Sequence, residues 1–211
     1  MSRPADGKLG AALAALTKAL NASGLAWMCI GGIAVIAQGV RRTTTDIDVT
    51  FRAEGVDLDA LLRRLVRHGI RPRIPDAATF ARRSQVLLLE HTASGVELDV
   101  SLAWLSFEHE ALAAPVTIDF AGVKAPAARA EDLIIYKLFA GRPQDLNDAE
   151  ALLLMHRAEI DLARVRAVLA HLGEMADAPE IVGRLDAIDR ARPRPPGRRP
   201  ARTAVRKPRG S

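Results

Sequence analysis

The sequence predicts an α+β fold, a mixed β-sheet flanked by helices and followed by a helical C-terminal region. Two segments, Asp46–Phe51 and Val96–Leu102, alternate polar and apolar residues. Period two places one face of each strand on a core and leaves the other free for polar groups. From Ala130 to about Arg190 the apolar spacing becomes helical, so the second half adds helices rather than strands. With 211 residues and 49% hydrophobic content, the chain is long and apolar enough for one core with a helical extension.

Leucines at 9, 13, 16 and 20 in an alanine-rich stretch predict an opening helix over residues 8–20. Leu25–Ile30 is a short apolar run bounded by glycines, the pattern of a strand buried on both faces. Gly31-Gly32 then turns the chain into a short helix over Ile33–Gln38. Asp46–Phe51 is the clearest strand, and Leu58–His68 an amphipathic helix. Val86–Leu89 and Val96–Leu102 form a hairpin around Thr92-Ala93-Ser94-Gly95. Val116–Val123 is a smaller hairpin turning at Ala121-Gly122. The helical region breaks near Arg142-Pro143, Glu159 and Ala178-Pro179. The organisation expected is an α/β domain over 1–125, a helical region over 126–189 and a tail over 190–211.

A formal charge of +5 and a pI near 10.0 suggest an anionic partner, but the charge is unevenly placed. Residues 190–211 carry nine of the 30 basic residues and no acid, leaving 21 basic against 25 acidic residues before them, formally −4. The same block holds five of the 12 prolines and few apolar residues, so it is expected to be disordered. It reads equally as an arm that holds RNA or as a compositional extension. The lone Cys29 has no partner for an internal disulfide and reads as a small buried hydrophobe. Met-Ser-Arg-Pro-Ala-Asp lacks the apolar core of a signal peptide, which makes the cytoplasm the simplest compartment. The uncharged stretch Asn21–Val40 contains four glycines and fits strand, turn and helix better than a membrane span. The five histidines have no ligand spacing, so no zinc-type site is expected.

Asp46 and Asp48 at i and i+2 of one strand point the same way, and Asp99 on another strand supplies a third carboxylate. Such an oxygen-rich set suits a hard divalent cation that retains water and substrate phosphate in its other positions. Two such ions activate an attacking oxygen and stabilise a pyrophosphate leaving group. Gly31 and Gly32 would let backbone N–H groups approach a triphosphate. Glu97 lies on the face of Asp99 and competes with it as third ligand.

Ile30-Gly31-Gly32, thirteen residues, Asp46-Ile47-Asp48-Val49 and then Leu98-Asp99-Val100 resemble the polymerase β nucleotidyltransferase superfamily. Arg42-Thr43-Thr44-Thr45-Asp46-Ile47-Asp48 is similar to the small bacterial AbiEii toxin-type nucleotidyltransferases. So is the later stretch with Glu131-Asp132-Leu133, Lys137-Leu138, Ala140-Gly141-Arg142 and Asp145-Leu146-Asn147-Asp148. The resemblance spans roughly residues 25–154 and implies a nucleotidyltransferase fold. It also implies Mg²⁺- or Mn²⁺-dependent transfer of NMP from an NTP to a hydroxyl, with tRNA, a protein or a small molecule as acceptor and an antitoxin protein as partner.

By the same resemblance Asp46, Asp48 and Asp99 are catalytic metal ligands, and Lys137 contacts the nucleotide phosphates with Asp145 or Asp148 in support. Lys137 is the lone charge within residues 133–140, so it either snorkels to solvent or meets an anion. Arg42 and Thr44 share the parity of the aspartates and border the site if the strand extends back to them. Many members of the superfamily carry Ser or Thr after the glycine turn, where this chain has Ile33. That departure favours a second reading, a catalytically silent nucleotide- or partner-binding module, against which the intact aspartate set stands.

Overall fold

The computed structural model describes residues 4–190. The elements in chain order are α1 (Pro4–Asn21), β1 (Trp27–Cys29), α2 (Gly32–Ala37), β2 (Asp46–Arg52), α3 (Leu58–Arg67), β3 (Ile70–Pro72), α4 (Ala77–Ser84) and β4 (Val86–His91). They continue with β5 (Val96–Ala103), α5 (Ser106–Ala113), β6 (Val116–Phe120), β7 (Val123–Ala127), α6 (Ala130–Ala140), α7 (Pro143–Met155), α8 (Leu162–Met175) and α9 (Glu180–Arg190). The expected α+β class is borne out. Apart from Arg190, the tail read as disordered lies outside the described residues.

One seven-stranded sheet runs β3-β4-β5-β2-β1-β7-β6. It is mixed: β2 pairs parallel with β5 and β1 parallel with β7, while the remaining neighbours are antiparallel. β1 is an interior strand between β2 and β7, and its three residues are all buried. The alternation in β2 is realised as Ile47, Val49 and Phe51 in the core, with Asp46 and Asp48 half-buried on the opposite face. Farther along that face Thr50 is fully buried, so the polar face is covered at one end and open at the other.

The leucine stripe of α1 is buried, contributing about 1.5–3 kcal/mol per side chain, and α1 packs on α3 and on strands β2, β5 and β7. Local signals set the helix ends. Asp57 caps α3 by accepting from the backbone N–H groups of Asp59 and Ala60. Gly141, at φ +67, ends α6 in a left-handed conformation, and Pro143 opens α7. This Gly-Arg-Pro break folds α7 back beside α6, which brings Asp145 and Asp148 to Lys137.

Three elements lie beyond the sequence reading: β3, α4 and α5. The hairpin expected at 116–123 is longer, because β7 continues to Ala127 and joins β1; the expected division at residue 125 falls inside that strand. Among the described residues no helix is long and apolar enough to cross a membrane.

Candidate active site

The site lies where β1 ends and β2 begins, two antiparallel neighbours. The chain leaves β1 through Ile30, whose N–H donates to the Asp48 carbonyl at 3.0 Å, so Gly31 stands beside Asp48. A Cβ built on Gly31 would lie 1.7 Å from Asp48 Oδ2. One on Gly32 would lie 2.4 Å from Thr44 Oγ1 and 3.3 Å from an Arg42 guanidinium nitrogen. The contacts at 1.7 and 2.4 Å are closer than a real Cβ comes, so the Gly-Gly pair is the condition for bringing this turn against Asp48 and Thr44.

Register brings the third carboxylate in. Asp48 is directly opposite Asp99 across the parallel β2–β5 pair, and Asp46 is opposite Glu97; opposite residues in a ladder present their side chains on the same face. Thr44 Oγ1 donates to Asp46 Oδ1 at 2.7 Å. Burial, then the charges of Asp46 and Asp99, push the Asp48 carboxyl up to about 6, against the opposing pull of Lys137 and Arg142. Burial likewise raises Asp99, with Arg73 working the other way. Behind them Cys29 is fully buried, and burial with the charge of Asp48 drives its thiol up to about 12, which keeps it a protonated core residue rather than a nucleophile.

The helical side supplies cations. Lys137 is buried and donates to Asp145 Oδ1 at 2.9 Å, with Asp148 Oδ2 at 3.3 Å. Arg142 Nε donates to Asp145 Oδ2 at 2.6 Å, and Gln144 Nε2 to Asp148 Oδ1 at 3.1 Å. Arg42 also pairs with Asp148. Burial alone would raise Asp145, but the hydrogen bonds from Arg142 and Lys137 hold it below the usual carboxylate range. Of the two fates open to Lys137, it meets anions. β2 begins at Asp46, so the strand does not extend back to Arg42 and Thr44; both reach the site from the preceding loop.

Two residues of this region lack a role in the sequence reading. Gln144 holds Asp148. Arg73, immediately after β3, pairs with Glu97 at 2.6 Å and with Asp99. Its signal was present in Ile70-Arg71-Pro72-Arg73-Ile74, an apolar–basic alternation of period two. Ile33 is buried in the core, so its side chain offers nothing to a ligand.

The carboxylates of Asp46, Asp48 and Asp99 suit a hard divalent cation in kind, and a cation would relieve the part of the Asp48 rise that Asp46 and Asp99 add to burial. Among the described residues, however, no group of three or more His, Cys, Asp or Glu side chains converges closely enough to hold a metal ion as it stands, and the Asp99 carboxylate is engaged by Arg73.

A glycine turn seated on an aspartate pair, in a mixed sheet flanked by helices, defines a nucleotidyltransferase fold. Among solved structures, the solution structure of the antibiotic-resistance factor ANT(2'')-Ia is similar, with a TM-score of 0.53 and 19% identity, covering 85% of this chain and 96% of that one. The crystal structure of ANT(2'')-Ia in complex with adenylyl-2''-tobramycin has a TM-score of 0.52 and 20% identity, covering 78% of this chain and 95% of that one. No curated protein matches the chain. Residues 9–181 match the family described as nucleotidyltransferase of unknown function (DUF6036), and the chain belongs to that family.

Proposed function

We propose that the protein transfers a nucleoside monophosphate from an NTP to a hydroxyl acceptor in a reaction that depends on Mg²⁺ or Mn²⁺. The observation that carries this reading is the seating of the Gly31-Gly32 turn on Asp48 and Thr44, which joins a backbone cradle for phosphate to an aspartate pair. In the transfer the acceptor oxygen forms a bond to the α-phosphorus, the bond from that phosphorus to the bridging oxygen breaks, pyrophosphate leaves, and the hydroxyl proton passes to solvent water. Asp46, Asp48 and Asp99 would hold the cation, which supplies Lewis-acid charge at the phosphates when bound.

Gly31 and Gly32 admit the triphosphate to the backbone. Arg42, Thr44 and Lys137 line its path, with Asp145 and Asp148 fixing the two cations in place. In this proposal residues 1–125 form the catalytic part and 126–189 the helical region that closes on the nucleotide. Two acceptor classes follow from the supports. The adenylyl-tobramycin bound to ANT(2'')-Ia suggests a small-molecule hydroxyl. The AbiEii-like sequence pattern suggests tRNA or protein, within a toxin–antitoxin pair.

Each radiolabelled NTP is incubated with Mg²⁺ or Mn²⁺ and, separately, total tRNA, cell lysate and a panel of hydroxylated small molecules, with Asp46→Asn and Asp48→Asn as controls. Label transfer that both variants lose supports the proposal. Equal transfer by Asp46→Asn shows that the aspartates are misassigned. No transfer, together with metal-dependent NTP binding, favours the silent module, the reading that the buried Ile33 supports.

A further inference from the structure

Arg73 owes its position to the sheet. Across β3, β4, β5 and β2, one rung aligns Arg71, Glu90, Glu97 and Asp46. Two residues further along, at the next position on the same face, the Arg73 N–H donates to the Leu88 carbonyl at 2.9 Å, and Leu88 faces Asp99, which faces Asp48. Directly opposed residues share a face, and neighbouring strands are about 4.8 Å apart. The Arg73 side chain therefore reaches over Leu88, across two strand spacings, to arrive at Asp99.

Its two ends do different things. Nη1 bonds Glu97 Oε2 at 2.6 Å, while Nη2 bonds the Asp99 carboxylate. The third nitrogen, Nε, is buried with no hydrogen-bond partner. The guanidinium is thus held by two separable contacts in a pose that leaves one donor unmet. One of those contacts occupies the carboxylate that Asp46 and Asp48 need as their third partner.

We infer that Arg73 is the resident counter-ion of Asp99, released from that carboxylate when a divalent cation binds Asp46, Asp48 and Asp99 and retained beside the site by Glu97. This inference rests on the metal-dependent reading above. It divides the two competing acids: Asp99, opposite Asp48, is the metal ligand, and Glu97, more exposed and opposite Asp46, is the anchor of the arginine. Arg73 is a positioning residue, acting on the metal site through Asp99.

The test is Mn²⁺ titration of the full chain without nucleotide, read as loss of the free-ion signal in electron paramagnetic resonance. Arg73→Gln is expected to tighten Mn²⁺ binding by about threefold to tenfold, the scale of a partly exposed ion pair no longer competing. Adding Asp99→Asn should cancel the gain. If Glu97→Gln cancels it and Asp99→Asn does not, the assignment of the two acids is overturned. Unchanged affinity in Arg73→Gln overturns the counter-ion role while leaving the metal site standing; absence of Mn²⁺ binding in every protein overturns both.

A second measurement needs no variant. In ¹⁵N-labelled native protein, the Arg73 Nε–H resonance should shift when Mg²⁺ is added, and a resonance that does not move refutes the release.

Discussion

Two clusters of charge flank Asp46 and Asp48, and they are built differently. On the helical side, Lys137, Asp145 and Asp148 are all buried, each with more than one partner. On the sheet side, Arg73, Glu97 and Asp99 sit at partial exposure, and Arg71–Glu90 extends the row into solvent, with 62% of the arginine side chain exposed. A buried charge must keep its partner or the fold weakens, whereas an exposed one exchanges its partner with water or ligand at little cost. The helical cluster is a fixed wall and the sheet cluster is exchangeable.

That contrast breaks first at Lys137. Lys137→Met strands two buried carboxylates with reduced compensation and is expected to cost about 3 kcal/mol, the low end for breaking a buried pair because Arg42 and Arg142 remain. A urea titration should show a lower midpoint with an unchanged slope.

The next effect has the opposite sign. Asp48 has a native value of about 6 against an ordinary 3.8, so between those values the folded state binds more protons than the unfolded. The stabilising contribution is then present at low pH and lost as pH rises to about 6. Asp48→Asn is accordingly expected to be about 2 kcal/mol more stable than the native protein at neutral pH without divalent cations. The two should converge near pH 4, by thermal unfolding across that range.

Arg73→Gln sharpens the comparison, with a cost of about 1 kcal/mol by the same measurement, well below that of Lys137→Met. The smallest change is Arg71→Ala, about 0.3 kcal/mol and shrinking further in high salt. A sheet-side cost matching that of Lys137 would end the distinction between the clusters.

Much of this was legible in the sequence. Alternation alone located β2 and β5, the glycine pair marked the turn after β1, and the single charge among the apolar residues of α6 singled out Lys137. What escaped shares a physical cause. β3 is three residues long and includes Pro72, α4 is preceded by Asp76 in a left-handed conformation that makes no side-chain cap, and α5 is a short helix preceded by Leu105. The start of α5 depends on Glu108 accepting the N–H groups of Trp104 and Leu105 at 2.9 and 3.0 Å. Such elements take their stability from the neighbours they pack on rather than from their own pattern. Arg73 was missed with the strand that positions it, although its alternation with Arg71 was visible. Register was beyond reach as well, since nothing in the local sequence says that Asp48 will sit opposite Asp99 rather than a strand position away.

That pairing joins residues 51 positions apart in the chain, through parallel strands with two further strands and two helices between them. Contacts of such separation cannot reward the chain until the intervening loop is closed, and non-local pairing of this kind slows folding. The aspartates, distant in the nascent polypeptide, become one site only when the centre of the sheet is complete. A chain still emerging, or one trapped with β5 unpaired, holds every residue of the chemistry and has no place to perform it.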